Sequence, residues 1–463
     1  MSESPAVDHA PMLADWIAGF DLSKVPAAAV DAAKNCLIDA VACMVGGIAL
    51  KSSQVVLEVV TAAGTSGLVT VPGEAARVGL LDAAWLGGHT VNALDFDDCF
   101  RDGAPSHPGA TIIPPALAVA EARGATGAEL LGAIIAAYEV SLRIGRAVDA
   151  SPERKEVVMG YSTWQTFGAT VAASRLLALN STAIRSAFGI TAMQAPVPGV
   201  RKEVEGLRPY GWIKNAYGAC CYVGVLSSLL AEKGFHGHQS VFDGPFGFWI
   251  MSGSDRHLTE GYAGLGEDWL VTRVEFKPYA CCRWSHTMIE ALTRLGDGLA
   301  PEDIAAVDVH GFLEFYRGLG GDMPDNIVDA QFNARYLAAL QLLGRSPEFG
   351  MSEADLTDPA VAEMAGRVRL HHDPLYDAAH NATMATPVRV EIATTGGEAR
   401  SLFIEEPPTS VRRGGFNRDQ ICTKFRRVCD PVLGADRSER ALSMLLNVEN
   451  ADVAALMRLL AAA

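Results

Sequence analysis

Apolar residues recur at helical spacing through most of the first 230 residues. Behind Pro26 the positions of Ala29, Ala33, Leu37 and Val41 follow the i, i+3, i+4 rule. The pair at 46–47 is Gly-Gly, which is typical of a helix end. Further helices are predicted at residues 83–98 and after the Pro-Pro pair at 114–115, where Gly124 ends the helix. A capping box at 126–129 precedes a predicted helix at 130–147. Two more helices are predicted at 168–179 and 214–234. The first half of the chain is therefore predicted to be mainly helical.

The pattern changes after about residue 234. Residues 269–276 and 304–309 alternate between apolar and polar side chains, which predicts strands. Residues 388–393 and 399–404 flank Thr395-Gly-Gly397 and predict a β-hairpin. Helices are expected at 286–295, 328–343 and 358–368, and again from 419 to 462. Segment 269–406 is thus predicted to form a separate α+β domain.

Composition limits the classes of function. The 463 residues carry a net charge of −16, which argues against nucleic acid or an anionic membrane as a partner. We expect no signal peptide, and the longest apolar run falls short of the roughly 20 residues of a membrane helix. The nine cysteines show no Cys-x-x-Cys spacing, so a zinc site is not expected. Their odd number is typical of reduced thiols, which favours a cytoplasmic protein.

Several familiar sequence motifs are absent. The chain has no Gly-x-Gly-x-x-Gly at a strand-to-helix junction, no phosphate-binding loop, no Gly-x-Ser-x-Gly and no His-Glu-x-x-His. If the chain is an enzyme, we therefore expect side chains to perform the chemistry, without an organic cofactor.

Titratable residues are concentrated at 89–115. Asp95, Asp97 and Asp98 lie within four residues, and His107 precedes a proline that restricts its backbone. If the helix continues through Cys99, then Asn92, Asp95, Asp98 and Cys99 share one face, and Asp97 points away from it. A fixed histidine near a carboxylate suits general acid–base chemistry. The alternatives are a solvated helix end with capping aspartates, and a divalent metal held by Asp95, Asp98 and His107.

Two cationic segments follow. Lys214 lies near the start of a predicted helix, against the preference of the helix dipole, which suggests that it meets an anion. Residues 277–286 place Lys277, Tyr279, Arg283 and His286 within ten positions, a set suited to binding a carboxylate and moving a proton. The alternatives are an ordinary surface lysine and an ordinary linker with surface charges.

These segments together resemble the MmgE/PrpD family, which includes 2-methylcitrate dehydratase, cis-aconitate decarboxylase and iminodisuccinate epimerase. The most specific motifs are Ala93-Leu-Asp-Phe-Asp-Asp98 and Ser106-His-Pro-Gly109, and Asp329-Ala-Gln-Phe332 also matches. The resemblance implies a large all-α domain made of both chain ends (1–268 and 407–463) and a smaller inserted α+β lid domain (269–406). It also implies a homodimer with a cofactor-free active site between the domains.

The resemblance implies a lyase that transfers a proton at a carbon atom next to a carboxylate of a small di- or tricarboxylate. We expect the catalytic residues Asp95, His107, Lys214 and His286, and the substrate-binding residues Cys99, Arg101, Lys277, Tyr279 and Arg283. Asp95 would orient His107, the lysines would stabilise the enolate-like intermediate, and His286 would serve the opposite face. Cys99 stands where the family commonly has threonine, which leaves the reaction open among dehydration, decarboxylation and epimerisation. A metal-dependent hydrolase and a non-catalytic helical scaffold are the alternatives of another class.

Overall fold

A computed structural model describes residues 8–63, 66–200, 210–407 and 409–462. Its first part is mainly helical and carries two short antiparallel strand pairs, β1 (Ser66–Thr70) with β2 (Arg77–Val78) and β3 (Val158–Met159) with β4 (Gly199–Val200). The helices of this part are α1 (His9–Ala18), α2 (Ala27–Gly47), α3 (Lys51–Ala63), α4 (Leu80–Ala93), α5 (Pro108–Arg123), α6 (Gly127–Ala147), α7 (Pro152–Lys155), α8 (Tyr161–Leu176), α9 (Ser181–Gln194), α10 (Tyr217–Glu232) and α11 (Phe248–Met251).

The second part contains a four-stranded sheet in the order β6-β5-β7-β8. Strand β5 pairs in parallel with β6 and antiparallel with β7, and β7 pairs antiparallel with β8. The strands are β5 (Ile304–Gly311), β6 (Val368–His372), β7 (Val388–Thr394) and β8 (Ala399–Ile404). The helices are α12 (His286–Leu295), α13 (Leu313–Gly318), α14 (Ile327–Ala330), α15 (Ala334–Leu342), α16 (Pro359–Gly366) and α17 (Asp377–Thr383).

The C-terminal residues return to the first part of the chain. Helices α18 (Arg418–Leu433), α19 (Ala435–Leu446) and α20 (Val453–Leu460) follow β8. Helix α18 packs on α2, and Ile421, Phe425 and Leu445 are fully buried in the same core as α2 and α6. A second hydrophobic core contains residues from Tyr279 to Ile404. Both chain ends therefore build one core, and the sheet with its helices builds the other.

Local sequence signals predicted several elements correctly. Helix α2 ends at the predicted glycine pair, and α6 begins with the predicted capping box, in which Thr126 and Glu129 bond to each other's backbone N–H groups. Strands β5, β7 and β8, the hairpin turn and helix α12 also lie where the sequence predicted them. In each case the hydrophobic spacing and the turn residues agree with the tertiary environment.

Several predicted elements differ from those in the structure. Residues 269–276 do not form a strand: Leu270–Arg273 is a 3₁₀ turn whose Val271 N–H donates to the buried carboxylate of Glu139. Helix α5 begins at Pro108 and contains the Pro114-Pro115 pair behind which its start was predicted, because proline is well suited to the first helical position. The predicted helix at 328–343 is interrupted between α14 and α15, where Asn333 caps the second helix.

The described helices were also compared with the length and composition of membrane spans. No single helix in the described ranges is both long and apolar enough to cross a membrane, and one pair passes only jointly, α2 with α3, bent by 85°. Most of α2 is buried in the large core.

Candidate active site

The turn after α4 carries the first of the predicted residues. Helix α4 ends at Ala93, and Asp95 adopts the left-handed backbone conformation with φ +49°. The predicted helical face shared by Asp95, Asp98 and Cys99 is therefore wrong. A non-glycine residue in this conformation costs about 1–3 kcal/mol and needs support from its surroundings. That support is visible in the partners of Asp95.

Two lysines share the Asp95 carboxylate. Lys214 Nζ lies 2.6 Å from Oδ1 and Lys277 Nζ lies 3.0 Å from Oδ2. Lys277 also donates to the Asp95 carbonyl oxygen at 2.8 Å, and Lys214 donates to the Asn92 carbonyl oxygen at 3.2 Å. Burial alone would raise the pKa of Asp95, but the two lysines hold it far below its usual range. Asp95 is therefore a carboxylate that binds two ammonium groups inside the protein.

The two lysines differ in exposure. The Lys277 side chain is 1% exposed, and although burial lowers its pKa, Asp95 and Asp97 raise it above the ordinary value, so Lys277 is charged. The Lys214 side chain is 10% exposed, and its Nζ lies 5.3 Å from the ring of Phe332, which packs against the second core. Lys214 is thus the cation of the pair that reaches the boundary between the two cores.

His107 is held by the Asp97–Asp98 segment. Its Nδ1 lies 2.8 Å from the Asp98 carbonyl oxygen and 3.4 Å from Asp97 Oδ2. Because both neighbours are acceptors, Nδ1 carries the hydrogen and Nε2 is the nitrogen that can accept a proton. Burial raises the pKa of Asp97, but His107 outweighs it and the pKa is lowered. The sequence analysis expected Asp95 to orient His107 and Asp97 to point elsewhere. In the structure Asp97, and not Asp95, makes the contact with His107.

Asp98 lies beneath this histidine in a different environment. Its Oδ2 accepts from the Tyr138 hydroxyl at 2.7 Å, and its Oδ1 accepts from the Gly109 N–H at 2.9 Å. Burial, with the nearby Asp97 charge, raises the pKa of Asp98 to about 8. The bond to Gly109 also caps the first turn of α5, which fixes the backbone that follows His107.

Arg101 and Arg283 contact carboxylates of the protein. Arg101 donates to both oxygens of Glu275, at 2.9 and 2.5 Å, and pairs with Glu406 at 3.2 Å. Arg283 pairs with the same two glutamates, at 3.1 and 3.3 Å. Glu275 and Glu406 lie where the chain enters and leaves the second core, so this cluster ties both crossings together.

Cys99 lies beside the arginine cluster. Its backbone exchanges two hydrogen bonds of 2.8 Å with Glu275. Burial, followed by the Glu275 charge, raises the pKa of the Cys99 thiol to about 12. The thiol is therefore protonated at neutral pH and is not a nucleophile.

His286 and Tyr279 lie in the second core region. His286 is 1% exposed, its Nε2 is 3.1 Å from the Cys281 carbonyl oxygen, and its ring meets Tyr279 edge-on at 5.3 Å. Burial, with Lys277 and Arg283, lowers the pKa of His286 well below its usual range, so the ring is neutral. Tyr279 packs in the second hydrophobic core. Both belong to the cationic segment 277–286, but their side chains are buried.

A small pocket opens beside Lys214. Its walls include Trp85, His89 and Asn92 from one face of α4, and Trp212 from the segment before α10. Burial and the Lys214 charge lower the pKa of His89 to about 4, so His89 is neutral. The sequence analysis singled out neither Trp85 nor His89, although the spacing 85, 89, 92 places both on one helical face with Asn92.

The structure does not support the alternative of a divalent metal held by Asp95, Asp98 and His107. Asp95 is bound by lysines and Asp98 by Tyr138 and a backbone N–H. Within the described ranges no group of three or more histidines, cysteines and acidic residues is arranged to hold a metal ion. The carboxylates of the site meet protein cations and hydrogen-bond donors.

Comparison with known families agrees with the motifs. The family model of the MmgE/PrpD N-terminal domain matches residues 12–260, and that of the MmgE/PrpD C-terminal domain matches residues 279–450. The chain belongs to the MmgE/PrpD family. The predicted family is therefore confirmed, as is a mostly helical chain with a small sheet.

Named relatives of this MmgE/PrpD protein match over nearly its whole length. It is 26% identical to the cis-aconitate decarboxylase-like protein oryM of Aspergillus oryzae, over 97% of this chain and 96% of that protein. It is 24% identical to cis-aconitate decarboxylase of Aspergillus terreus, over 96% and 94%. It is 22% identical to 2-methylcitrate dehydratase of Cupriavidus necator, over 89% and 88%. These names support an enzyme of the lyase type.

Proposed function

We propose that the protein is a lyase that moves a proton at a carbon atom next to a carboxylate of a small di- or tricarboxylate. The observation that carries this proposal is that two lysines bind Asp95 while His107 contacts Asp97, two residues further along the same segment. A proton at such a carbon is weakly acidic, so its removal leaves negative charge on the substrate carboxylate. Cations fixed in a site that excludes water stabilise that charge strongly.

In this mechanism His107 Nε2 exchanges the proton with the substrate carbon. When the ring is protonated, Asp97 stabilises the positive charge, and the Asp98 carbonyl oxygen keeps the ring in position. Lys214, which lines the pocket, binds the substrate carboxylate, while the buried Lys277 holds Asp95 and adds positive potential. A positioned acid–base residue typically contributes about 10²–10⁴ in rate.

The state of His286 favours decarboxylation over dehydration. Its Nε2 faces a carbonyl oxygen, so Nε2 carries the hydrogen and Nδ1 is unprotonated. A neutral ring whose pKa lies well below the usual range carries no acidic proton for a leaving hydroxyl group. Decarboxylation releases CO₂ and then needs one proton at carbon, which His107 Nε2 can supply after it has taken a proton from solvent. The two fungal relatives are also named for decarboxylation.

The test is proton NMR of the purified enzyme in deuterated water with cis-aconitate, 2-methylcitrate and related acids. We expect loss of CO₂ with deuterium incorporation at one carbon, and a His107→Gln variant that is slower by about 10²–10⁴. His236→Gln, a change at an exposed histidine outside the cluster, is the matched control. Loss of water identifies a dehydratase, and exchange without net loss an epimerase. Full activity of His107→Gln, or no turnover of any acid, overturns the proposal.

We also propose that no cofactor takes part and that the enzyme is a homodimer. The absence of a metal cofactor is tested by dialysis against a chelator, after which the wild-type rate should be unchanged.

The proposed homodimer is supported by exposed apolar side chains on and around the β3–β4 pair, among them Val157, Val197, Val200 and Met251. Exposed apolar groups of this kind often mark an interface between subunits. Light scattering of the purified protein measures its mass in solution and decides this point.

A further inference from the structure

One buried ion pair outside the proposed mechanism contacts the Asp95–Asp97 turn. Lys424 on α18 lies 2.6 Å from Asp39 Oδ1 on α2. The same ammonium group donates to the carbonyl oxygen of Phe96 and lies 3.8 Å from the centre of the Phe96 ring. Lys424 is 4% exposed and Asp39 is 1% exposed. A single lysine from the C-terminal segment thus binds the backbone between the two aspartates of the site.

Fold stability gives little reason for such a pair. Removing two charges from water costs several kcal/mol, and well-packed apolar residues often do as well or better at the same position. Burial raises the pKa of Asp39, and the opposing attraction of Lys424 only partly offsets it. A residue pair that is costly in a core is expected where it has a role in positioning.

The turn itself needs support of this kind. Asp95 occupies a conformation that non-glycine residues avoid, and such conformations persist only where surrounding contacts hold them. The Phe96 carbonyl follows Asp95 directly and belongs to the peptide group that leads into Asp97. By fixing this carbonyl, Lys424 constrains both the aspartate that binds the lysines and the aspartate that contacts His107.

We propose that Lys424 and Asp39 are a positioning pair, which holds the Asp95–Asp97 turn so that His107 keeps its proton on Nδ1 and its contact with Asp97. The proposal rests on the proposed function only where it concerns turnover, because the state of the His107 ring can be measured without substrate. Neither residue touches the substrate in this scheme.

The chain offers a matched control. Lys34, also on α2, is 8% exposed and lies 2.7 Å from Glu449, which follows α19. This pair joins the same helix to the same C-terminal region, but it makes no contact with the Asp95–Asp97 turn among its described bonds. Lys34→Met therefore removes an ion pair between the same two regions, one whose glutamate is 33% exposed, without releasing the turn.

The experiment compares Lys424→Met, Lys34→Met and the double variant Asp39→Asn/Lys424→Met. It measures kcat and KM, the melting temperature, and the ring ¹⁵N chemical shifts of His107, assigned with His107→Gln. A misplacement of about 1 Å at a reacting group costs about 10²-fold, so we expect kcat to fall by about that factor in Lys424→Met, with KM changed less than about threefold. The His107 ring signals should move toward a mixture of tautomers.

The double variant separates positioning from stability. It leaves no uncompensated charge, so its melting temperature should recover toward that of the wild type, whereas kcat and the His107 signals should stay perturbed. If the double variant recovers all three, or if Lys34→Met perturbs His107 equally, the proposal is overturned. It is also overturned if the His107 signals of both Lys424 variants match the wild type. Perturbed signals in a protein that turns over none of the acids support the positioning role and reject the proposed function.

Discussion

The substitution Asp98→Asn tests the electrostatics beneath His107. An amide at this position can still accept from the Gly109 N–H and can donate to the Tyr138 hydroxyl, so both hydrogen bonds survive. The amide differs from the carboxyl group in having no proton to lose. Because burial raises the pKa of Asp98 to about 8, the wild-type carboxyl is mostly neutral in the folded protein at pH 7.

The pH dependence follows from the raised pKa of Asp98. An aspartate in an unfolded chain ionises near pH 3.9, so between about pH 4 and pH 8 the folded state binds one more proton there than the unfolded state. The contribution of Asp98 to stability is therefore complete at low pH and is lost as the pH rises to about 8. The slope is about 1.4 kcal/mol per pH unit, which amounts to about 4 kcal/mol at pH 7.

Asp98→Asn should not lose stability as the pH rises in this range, because an amide has no proton to lose. We expect it to be more stable than the wild type at neutral pH, by up to about 4 kcal/mol, with an advantage that shrinks toward pH 4. The assay is urea unfolding of both proteins at about pH 5, 6, 7 and 8. Subtracting the two curves removes the groups that titrate equally in both, so the difference reports residue 98 alone.

The neighbouring Asp97→Asn is the control with the opposite sign. His107 lowers the pKa of Asp97 against the effect of burial, so this carboxylate stabilises the fold at neutral pH and that stability is lost as the pH falls. Asp97→Asn should therefore be less stable than the wild type, most clearly at neutral pH. A stability difference for Asp98→Asn that does not change with pH would refute the reasoning, because it would mean that Asp98 is ionised in the folded protein.

Three further outcomes are expected from the same geometry. Gly109→Ala should lose about 1–3 kcal/mol in urea unfolding, because a Cβ there would lie 2.8 and 2.9 Å from the carboxyl oxygens of Asp98, whereas Gly366→Ala, with no atom within 4 Å of its Cβ, should be neutral or slightly stabilising; equal losses would contradict this. Arg101→Met should lose about 1–3 kcal/mol by the same assay, because it removes the two-bond partner of the buried Glu275 while Arg283 still contacts both glutamates, and a loss below about 1 kcal/mol would show that the cluster is solvated. Cys99 should resist alkylation by iodoacetamide in the folded protein, because a thiol with a pKa of about 12 supplies little thiolate; mass spectrometry that finds labelling at the rate of the unfolded protein would contradict this.

Much of the local structure could be read from the sequence. The amphipathic spacing and glycine pair of α2, the capping box of α6 and the turn residues of the β7–β8 hairpin predicted their elements, because these signals depend on residues a few positions apart. The motifs at 93–98 and 106–109 also predicted the family, which the domain matches confirm.

The arrangement of the site depended on contacts that no local spacing encodes. Sequence spacing continued α4 through Asp98, but two lysines distant along the chain hold Asp95 in a left-handed turn that ends the helix at Ala93. The alternating residues 269–276 pack as a 3₁₀ turn because a glutamate on α6 accepts one of their N–H groups.

The partners of the charged side chains were decided in the same way. Asp97 contacts His107, Arg101 binds two glutamates at the chain crossings, and Lys424 reaches Phe96 from the C-terminal segment. The sequence determined which charged groups the protein has and where many of its helices and its hairpin form. Only the tertiary structure decided which of those groups meet, because a buried charge takes the partner that folding brings within about 3 Å, at whatever distance along the chain.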